Sequence, residues 1–292
     1  MPKVNLLLIG AQKSGTTSLY KYMLQHPALA FSSVKEITYF IDTDLHALGD
    51  DYYHSFFPDT TGATVVASAH VHMLACREAP ARVLDYNADM KFIVVLRNPV
   101  TRAWSAYNYA LQNAWESKDI DFMEALSLEE NRLSSDDHRQ KYDLAYFYNG
   151  LYWQHLTNWL RWFPQEQFLI VESSGLRQAP DATLKRVWNF LGVDDAVDVD
   201  TSLQFNRAGR ARWRWVNKII FNKKSRLKDT LRSLVPGRIR IWIRSRVIPL
   251  VSRMNTVEVQ STELPTEVRA AIEPYFRDDL EKLERDFSIK FN

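Results

Sequence analysis

The hydrophobic pattern of the chain alternates between short, continuous apolar runs and longer segments with helical spacing. The apolar runs are rich in Val, Ile and Leu, which is typical of parallel strands buried on both faces. Because such strands are joined by helical crossovers, the alternation predicts an α/β fold with three layers, α/β/α, around a central parallel sheet. The predicted strands are Asn5–Gly10, Ala63–Ser68, Lys91–Arg97 and Gln167–Glu172, and the predicted helices are Thr16–Gln25, Val100–Leu111, Leu144–Phe163, Asp181–Leu191 and Leu264–Phe287, the last with a kink or break at Pro274.

The composition is that of a soluble globular protein, with 46% hydrophobic and 25% charged residues in 292. The single cysteine, Cys76, cannot form an internal disulfide, which favours a reducing compartment. No apolar run approaches the roughly 20 residues of a membrane span, and the first apolar run is too short for a signal peptide. We therefore expect one domain over residues 1–292, located in the cytoplasm.

The net charge of +2 conceals an uneven distribution along the chain. Residues 207–253 contain 15 Lys or Arg and one acidic residue, so this segment carries +14 and the rest of the chain −12. Its Trp and Ile residues are interleaved with cations, as in helices that lie on anionic lipid. We expect this basic insertion, at about 207–255, to face a polyanionic acceptor or the inner face of a membrane rather than nucleic acid; a solvated helix surface is the alternative.

A glycine-rich turn follows the first predicted strand and opens the first predicted helix, within VNLLLIGAQKSGTTSLYKYMLQHP. Gly10 and Gly15 have the spacing of a nucleoside-triphosphate P-loop, but Thr16 stands where that loop has its lysine. The lysine of this turn is Lys13. Backbone N–H groups at such a turn bind phosphate, and a cation at Lys13 favours a single 5′-phosphate that carries a transferable group over a triphosphate.

The segment GAQKSGTTSLYKYMLQHP resembles the 5′-phosphosulfate loop of the sulfotransferases that use 3′-phosphoadenylyl sulfate (PAPS), nearest to the carbohydrate and heparan types. The resemblance implies that the 5′-phosphosulfate of PAPS is wrapped by Lys13, Ser14, Gly15, Thr16, Thr17 and Ser18. A second segment, VVLRNPVTRAWSAY, resembles the 3′-phosphate element of the same family. It implies that Arg97 and Ser105 bind the 3′-phosphate, which Arg97 can contact with two hydrogen bonds.

The resemblance extends over most of the chain. Residues 149–176 are similar to a later helix–strand segment of the family, in which the tyrosine that matches Tyr152 lies near the nucleotide. The stretch FNRAGR resembles a loop that closes on the 3′-phosphate, which implies roles for Arg207 and Gly209. The sequence has no obvious metal site, and we expect PAPS as co-substrate without a metal.

Sulfuryl transfer needs a cation near the leaving oxygen and a base near the acceptor oxygen. Lys13 is the expected cation. The stretch SVKEITYFID resembles a KE-x-x-FF segment of carbohydrate sulfotransferases, which implies Glu36 as the base. A rival base is His70 or His72, where the small-molecule branch of the family has its catalytic histidine. Heparan-type members have a Glu-Lys-Ser-Pro-like motif there, which residues 68–71 do not reproduce.

Together these features predict a PAPS-dependent sulfotransferase acting on a hydroxyl of a carbohydrate, glycolipid or other small acceptor. One alternative is a P-loop kinase or NTPase, which requires a lysine at position 16 and an acid where the third predicted strand ends in Arg97. The other alternative is a non-catalytic module that binds membrane or polyanion through the basic insertion. In such a module the phosphate loop would be dispensable.

Overall fold

A computed structural model describes residues 3–202, 209–211, 256–258 and 263–291, and its centre is a five-stranded parallel sheet. The five strands are β1 (Leu6–Gly10), β2 (Leu29–Phe31), β3 (Val65–Ala69), β4 (Lys91–Leu96) and β5 (Phe168–Glu172). They lie in the order β2-β3-β1-β4-β5, and each neighbouring pair is parallel. This arrangement confirms the predicted α/β fold.

Helices pack on both faces of the sheet. The α-helices of the described residues are α1 (Thr16–Met23), α2 (Thr43–His46), α3 (Asp50–His54), α4 (Ala79–Tyr86), α5 (Pro99–Gln112), α6 (Phe122–Ser127), α7 (Glu129–Leu133), α8 (Tyr152–Leu160), α9 (Ser173–Gln178), α10 (Pro180–Leu191) and α11 (Thr266–Phe287). A π-helical turn covers Arg139–Asp143, and 3₁₀ turns cover Tyr148–Gly150 and Gln165–Gln167. None of the helices in these ranges is long and apolar enough to cross a membrane.

The strands are mainly apolar because both faces of the sheet are covered. In β1, Leu7 and Ile9 belong to the core on one face, whereas Leu6 and Leu8 belong to the core on the other. Each of these side chains is at most 1% exposed, and burial of a leucine side chain contributes about 1.5–3 kcal/mol. The continuous apolar run is therefore what a central strand of a three-layer fold requires.

The predicted site residues follow four different strands at one edge of the sheet. The glycine-rich turn follows β1, Glu36 follows β2, His70 follows β3 and Arg97 follows β4. Parallel strands bring their carboxyl ends to the same edge, where α/β folds bind their ligands. The topology thus gathers residues that are up to 84 positions apart in sequence, the separation of Lys13 and Arg97.

The observed elements differ from the predicted ones in several places. Strand β2 and the helices α2, α3, α4, α6, α7 and α9 were not predicted, and α11 continues through Pro274 as a single helix. The predicted helix Leu144–Phe163 is wrong over its first part, because α8 begins only at Tyr152. Gly150 ends the preceding turn where a Cβ would lie 2.7 Å from Cε1 of Phe276, so tertiary packing against α11 interrupts the helical pattern.

Candidate active site

The turn after β1 has a backbone shape that two glycines make possible. Gly10 has φ 147°, and a Cβ there would lie 2.9 Å from the carbonyl oxygen of Val71. Gly15 has φ 106° and precedes the first residue of α1, Thr16. The N–H groups of a first helical turn have no partner within the helix and carry the positive end of its dipole. The chain therefore forms an anion-binding cradle at the centre of the sheet edge.

Ser14 presents an uncommitted hydroxyl inside this cradle. Its side chain is fully buried, and Oγ makes no hydrogen bond within the described residues. The hydroxyl of Tyr152 lies beside Ser14 but donates its proton to the carbonyl of Arg97, at 2.8 Å. A buried polar atom without a partner is costly unless a ligand supplies one, and phosphate oxygens would accept this hydrogen bond. The cradle thus fits the 5′-phosphosulfate of PAPS.

Lys13 adopts a left-handed backbone conformation, with φ 65°. Its ammonium nitrogen lies 4.0 Å from the centre of the Tyr109 ring, a cation–π contact that holds the side chain beside the cradle. Burial, together with the charge of Arg97, lowers the pKa of Lys13 to about 8. The group is therefore still mainly cationic at neutral pH but titrates close to it.

Arg97 joins the two predicted nucleotide motifs. Its Nη1 donates to the carbonyl of Lys13 at 3.4 Å, and its Nε donates to Oγ1 of Thr101 at 3.1 Å. Burial lowers the pKa of Arg97, and the positive charge of Arg177 lowers it further. Arg97 follows β4 and Arg177 lies on α9, the helix after β5, so their guanidinium groups influence each other and suit a phosphate that both can reach. Arg177 was not singled out from the sequence, because only the return of β5 beside β4 brings it there.

Ser105 and Tyr152 have different relations to Arg97. Ser105 is half-buried on α5, one turn beyond Thr101 and hence on the same side of the helix. Tyr152 has no exposed surface, and its hydroxyl bonds to the Arg97 carbonyl. Tyr152 thus holds the backbone at the end of β4 through the Arg97 carbonyl, whereas Ser105 lies on α5, the helix that follows β4.

Glu36 is held at the sheet edge by several contacts. Its backbone N–H donates to the Ala69 carbonyl at 2.9 Å, and its Oε2 accepts from the N–H of Val71 at 2.8 Å. Its Oε1 accepts a short hydrogen bond from the ammonium of Lys35. Burial alone would raise the pKa of Glu36, but the charges of Lys35 and His70 and these hydrogen bonds outweigh it and lower the pKa. Glu36 is thus an ionised carboxylate whose side chain keeps 34% of its surface exposed.

His70 lies behind this carboxylate. Its side chain is 3% exposed, and its Nδ1 is 3.9 Å from Oε2 of Glu36. The same Nδ1 accepts from the backbone N–H of His72 at 3.2 Å. Burial lowers the pKa of His70 to about 3 despite the nearby Glu36, so the ring is neutral at physiological pH. A base with that pKa and so little exposure is poorly suited to take a proton from an acceptor.

Asp143, His72 and Gln12 form a second hydrogen-bonded polar cluster beside the site, which the sequence did not predict. Asp143 accepts from Nε2 of His72 at 3.0 Å and from the amide nitrogen of Gln12 at 3.3 Å. Gln12 belongs to the phosphate cradle, so Asp143 ties the turn after β3 to the turn after β1. The sequence names His72 as a candidate but contains no local pattern that links it to a residue 71 positions away.

The remaining predicted residues lie at or beyond the limits of the described chain. Arg207 falls outside the described residues. Gly209 begins a short strand, β6 (Gly209–Ala211), which pairs antiparallel with β7 (Thr256–Glu258) and contacts α5. Over the described ranges, no group of three or more His, Cys, Asp or Glu side chains is arranged to hold a metal ion.

Comparison with known proteins identifies related domains. The sequence profile of the sulfotransferase domain matches residues 3–228. Mouse heparan sulfate glucosamine 3-O-sulfotransferase 3B1 is 32% identical over 201 residues, which are 69% of this chain and 49% of the mouse protein. Human bifunctional heparan sulfate N-deacetylase/N-sulfotransferase 3 is 31% identical over 216 residues, 70% of this chain and 24% of the human protein. The chain therefore spans about half the length, or less, of these relatives.

A solved structure supports the same relationship at the level of the fold. The sulfotransferase from Alicyclobacillus acidocaldarius superposes with a TM-score of 0.71 at 23% identity, covering all of this chain and 98% of that one. The predicted fold and the predicted family resemblance are both confirmed.

Proposed function

The chain belongs to the sulfotransferase domain family, and we propose that it transfers a sulfuryl group from PAPS to a hydroxyl group of a carbohydrate. PAPS supplies the activated sulfuryl group when bound. The nucleotide site consists of Lys13, Ser14, Gly15, Thr16, Thr17, Ser18, Arg97 and Ser105, with Tyr152 beneath it, and we extend it to Arg207 and Gly209. Arg97 and Ser105 would hold the 3′-phosphate, and the cradle the 5′-phosphosulfate.

The contact between Arg97 and the Lys13 carbonyl carries this proposal. It makes one site of the two motifs that are expected to bind the two ends of a 3′-phosphorylated nucleotide. A kinase or NTPase would need a lysine at position 16 and an acidic residue after β4 for Mg²⁺, but Thr16 and Arg97 occupy these places. The arrangement of charge thus favours a 3′-phosphate over a metal-bound triphosphate.

Glu36 acts on the acceptor hydroxyl, and Lys13 acts on the leaving phosphate oxygen. The Glu36 side chain is partly exposed and can accept the proton of an acceptor hydroxyl, while Val71 and Lys35 fix the carboxylate. Lys13 stabilises the negative charge that develops on the leaving 5′-phosphate oxygen. His70 adjoins the base and supports it from behind.

Nucleotide binding tests the proposal without an acceptor. Thermal unfolding would be followed with 3′,5′-ADP, the product nucleotide, and separately with ATP and Mg²⁺. A ligand at about 100 times its dissociation constant stabilises the fold by about 2.7 kcal/mol, so the rise in Tm is readily measured. We expect stabilisation by 3′,5′-ADP; stabilisation by ATP and Mg²⁺ alone would overturn the proposal.

The acceptor class requires a direct assay of transfer. The two heparan-modifying relatives carry O- and N-sulfotransferase in their names, so the panel would include N-sulfated heparosan, which offers hydroxyls, and de-N-sulfated heparin, which also offers free amines. With ³⁵S-labelled PAPS and mass spectrometry of the products, we expect sulfate on oxygen. Sulfate on nitrogen alone would identify an amine acceptor and refute the hydroxyl assignment.

The basic insertion at about 207–255 is proposed to bring this single domain to its acceptor. The charge of +14 over residues 207–253 and the interleaved Trp and Ile residues support contact with a polyanion or with the inner face of an anionic membrane, in a cytoplasmic protein. Flotation with vesicles of phosphatidylserine and phosphatidylcholine tests the membrane contact. Absence of binding at low salt would refute it.

A further inference from the structure

Lys35 lies between the phosphate cradle and the carboxylate of Glu36. We propose that Lys35 is a further catalytic residue of the proposed sulfotransferase reaction, its ammonium group binding the oxygen atoms of the sulfuryl group during transfer. The inference rests on the proposed function, because it assigns a contact to the group that is transferred. Lys35 would thus place a positive charge directly against the sulfuryl group, in addition to the residues that bind the nucleotide and the acceptor.

The position of Lys35 follows from the way the chain leaves the sheet. After β2, the backbone N–H of Ser32 donates to the carbonyl of Ala67 at 3.2 Å, and that of Glu36 donates to the carbonyl of Ala69 at 2.9 Å. Residues 32–36 therefore run beside the end of β3, toward the first turn of α1. The lysine side chain is 23% exposed, so most of it is covered and its direction is constrained.

The ammonium of Lys35 contacts both reacting sides of the site. Nζ lies 3.5 Å from Oγ1 of Thr17, a cradle hydroxyl, and makes a short contact with Oε1 of Glu36. It also lies 5.8 Å from the centre of the Tyr20 ring on α1. An in-line transfer places the sulfur atom between the leaving oxygen in the cradle and the acceptor oxygen at the base. Lys35 borders that interval, whereas Lys13 lies on the Tyr109 side of the cradle.

The charges at each stage of the reaction explain why a cation is useful there. An acceptor oxygen forms a bond to sulfur, the bond from sulfur to the 5′-phosphate oxygen breaks, and its electron pair stays on the phosphate. The acceptor proton passes to Glu36. Lys35 contacts the sulfuryl oxygens in bound PAPS, and neutralising the carboxylate weakens its attraction for Lys35, so the ammonium pairs more strongly with these oxygens as the group reaches the acceptor.

A purely positioning role for Lys35 makes a different prediction. If the lysine only fixes Glu36, its removal would leave the relative affinities for PAPS and 3′,5′-ADP unchanged, because these ligands differ by the sulfuryl group alone. If it binds the sulfuryl group, its removal weakens PAPS specifically. Charge-assisted hydrogen bonds to such oxygens are among the stronger ones in proteins, and we expect a loss of about tenfold, equivalent to about 1.4 kcal/mol.

Isothermal titration of the full chain with PAPS and with 3′,5′-ADP, in the absence of acceptor, measures this ratio. We expect Lys35→Met to weaken PAPS about tenfold with 3′,5′-ADP little changed, and Lys35→Arg to restore the preference. Lys21→Met is the matched control, because Lys21 is an exposed lysine on the same helix as Thr17, four residues further along the chain. Loss of both affinities in parallel, or of neither, would overturn the inference.

A second variant keeps the test decisive if Lys35→Met does not fold. In Glu36→Gln the ammonium loses its carboxylate partner, so a sulfuryl-binding Lys35 should give a stronger preference for PAPS over 3′,5′-ADP. An unchanged or smaller preference would contradict the inference. A wild-type chain that binds neither nucleotide would instead refute the proposed function, which separates the two failures.

Discussion

At the scale of single residues, the two proposed catalytic groups share an unusual backbone conformation. Lys13 and Glu36 both have φ 65°, and they are two of the four non-glycine residues with positive φ in the described chain. A left-handed conformation costs a residue with a side chain about 1–2 kcal/mol. Both residues adopt it in the loops that follow β1 and β2 at the carboxyl edge of the sheet. The folded chain thus tolerates strain where chemistry is expected.

The role of Glu36 as base gives the first prediction. Glu36→Gln keeps the shape of the side chain but removes its capacity to take a proton, and we expect a loss of about 100-fold or more in kcat with unchanged affinity for 3′,5′-ADP. His70→Asn is the matched comparison, since an amide oxygen can accept the His72 N–H that the imidazole now accepts. We expect it to retain most activity. Steady-state kinetics with the accepted oligosaccharide decide between them; a fully active Glu36→Gln enzyme would refute the assignment.

The pKa of Lys13 gives the second prediction. Burial and Arg97 lower this pKa to about 8, and the ammonium form is the one that stabilises the leaving oxygen. Deprotonation as pH rises through about 8 should therefore lower kcat/KM for PAPS, which reports groups of the free enzyme. In Lys13→Arg the guanidinium stays charged, so the alkaline fall should disappear even if the maximal rate is lower. A fall at the same pH in both enzymes would show that another group titrates.

Sequence patterns revealed those site residues that lie in local motifs and missed those assembled through space. The cradle follows an apolar strand with the glycine spacing of a phosphate-binding turn, and Arg97 was found because its segment resembles the 3′-phosphate element of the family. Lys35 was visible in sequence only as the neighbour of Glu36; its contact with Thr17 depends on the return of β2 beside β3. Asp143 is joined to the site only by the folded chain.

At the scale of secondary-structure elements, the helix α11 supports the elements around the proposed nucleotide site. Asp279 of α11 accepts hydrogen bonds from the backbone N–H groups of Trp153 and Gln154, at 3.0 and 3.1 Å. These N–H groups belong to the first turn of α8, and the N–H groups of a first helical turn have no partner within the helix. The helix begins with Tyr152, whose hydroxyl supports Arg97. Asp279 thus caps the helix that carries Tyr152, which contacts Arg97 of the proposed 3′-phosphate site.

This cap gives the third prediction. Asp279→Ala leaves two N–H groups without their partner and should lower the free energy of unfolding by about 1–2 kcal/mol. Asp278→Ala is the control: its side chain is 80% exposed and its ion pair with Lys282 lies on the surface, so we expect a change within about 0.5 kcal/mol. Urea unfolding followed by circular dichroism measures both. Equal effects would show that Asp279 does not cap α8.

Two of the elements that the sequence did not predict correctly depend on remote contacts. Strand β2 has only three residues, and its hydrogen bonds to β3 rather than its apolar pattern define it. The chain before α8 has aromatic residues at helical spacing, but the carboxylate of Glu129 accepts from the N–H groups of Phe147 and Tyr148. Those N–H groups thereby find a partner outside a helix. Long periodic segments such as α5 and α10 were predicted within one residue at each end.

At the scale of the whole molecule, the charge is divided between a basic segment and an acidic remainder. Residues 207–253 carry +14 and the other residues −12, so a polyanionic acceptor would be attracted to one region and repelled elsewhere. Such a field orients a sulfated chain before any specific contact forms, and salt weakens it. The residues of the phosphate cradle lie outside the basic segment in sequence, and of the proposed nucleotide site the segment contains only Arg207 and Gly209. Nucleotide binding and attraction of the acceptor are therefore largely assigned to different residues.

The last prediction follows from this separation. Replacing Lys223, Lys224 and Arg226 with serine should weaken binding to N-sulfated heparosan and flatten its dependence on salt, with affinity for 3′,5′-ADP unchanged. The control removes the same charge from three exposed cations elsewhere, Lys118, Lys185 and Arg269. Titration at several salt concentrations compares the two triple variants. If both triple variants lose polyanion affinity equally, the net charge of the protein governs the attraction, rather than the position of the basic segment. A concentrated patch of charge attracts the acceptor more than the same charge elsewhere only when the acceptor binds near that patch.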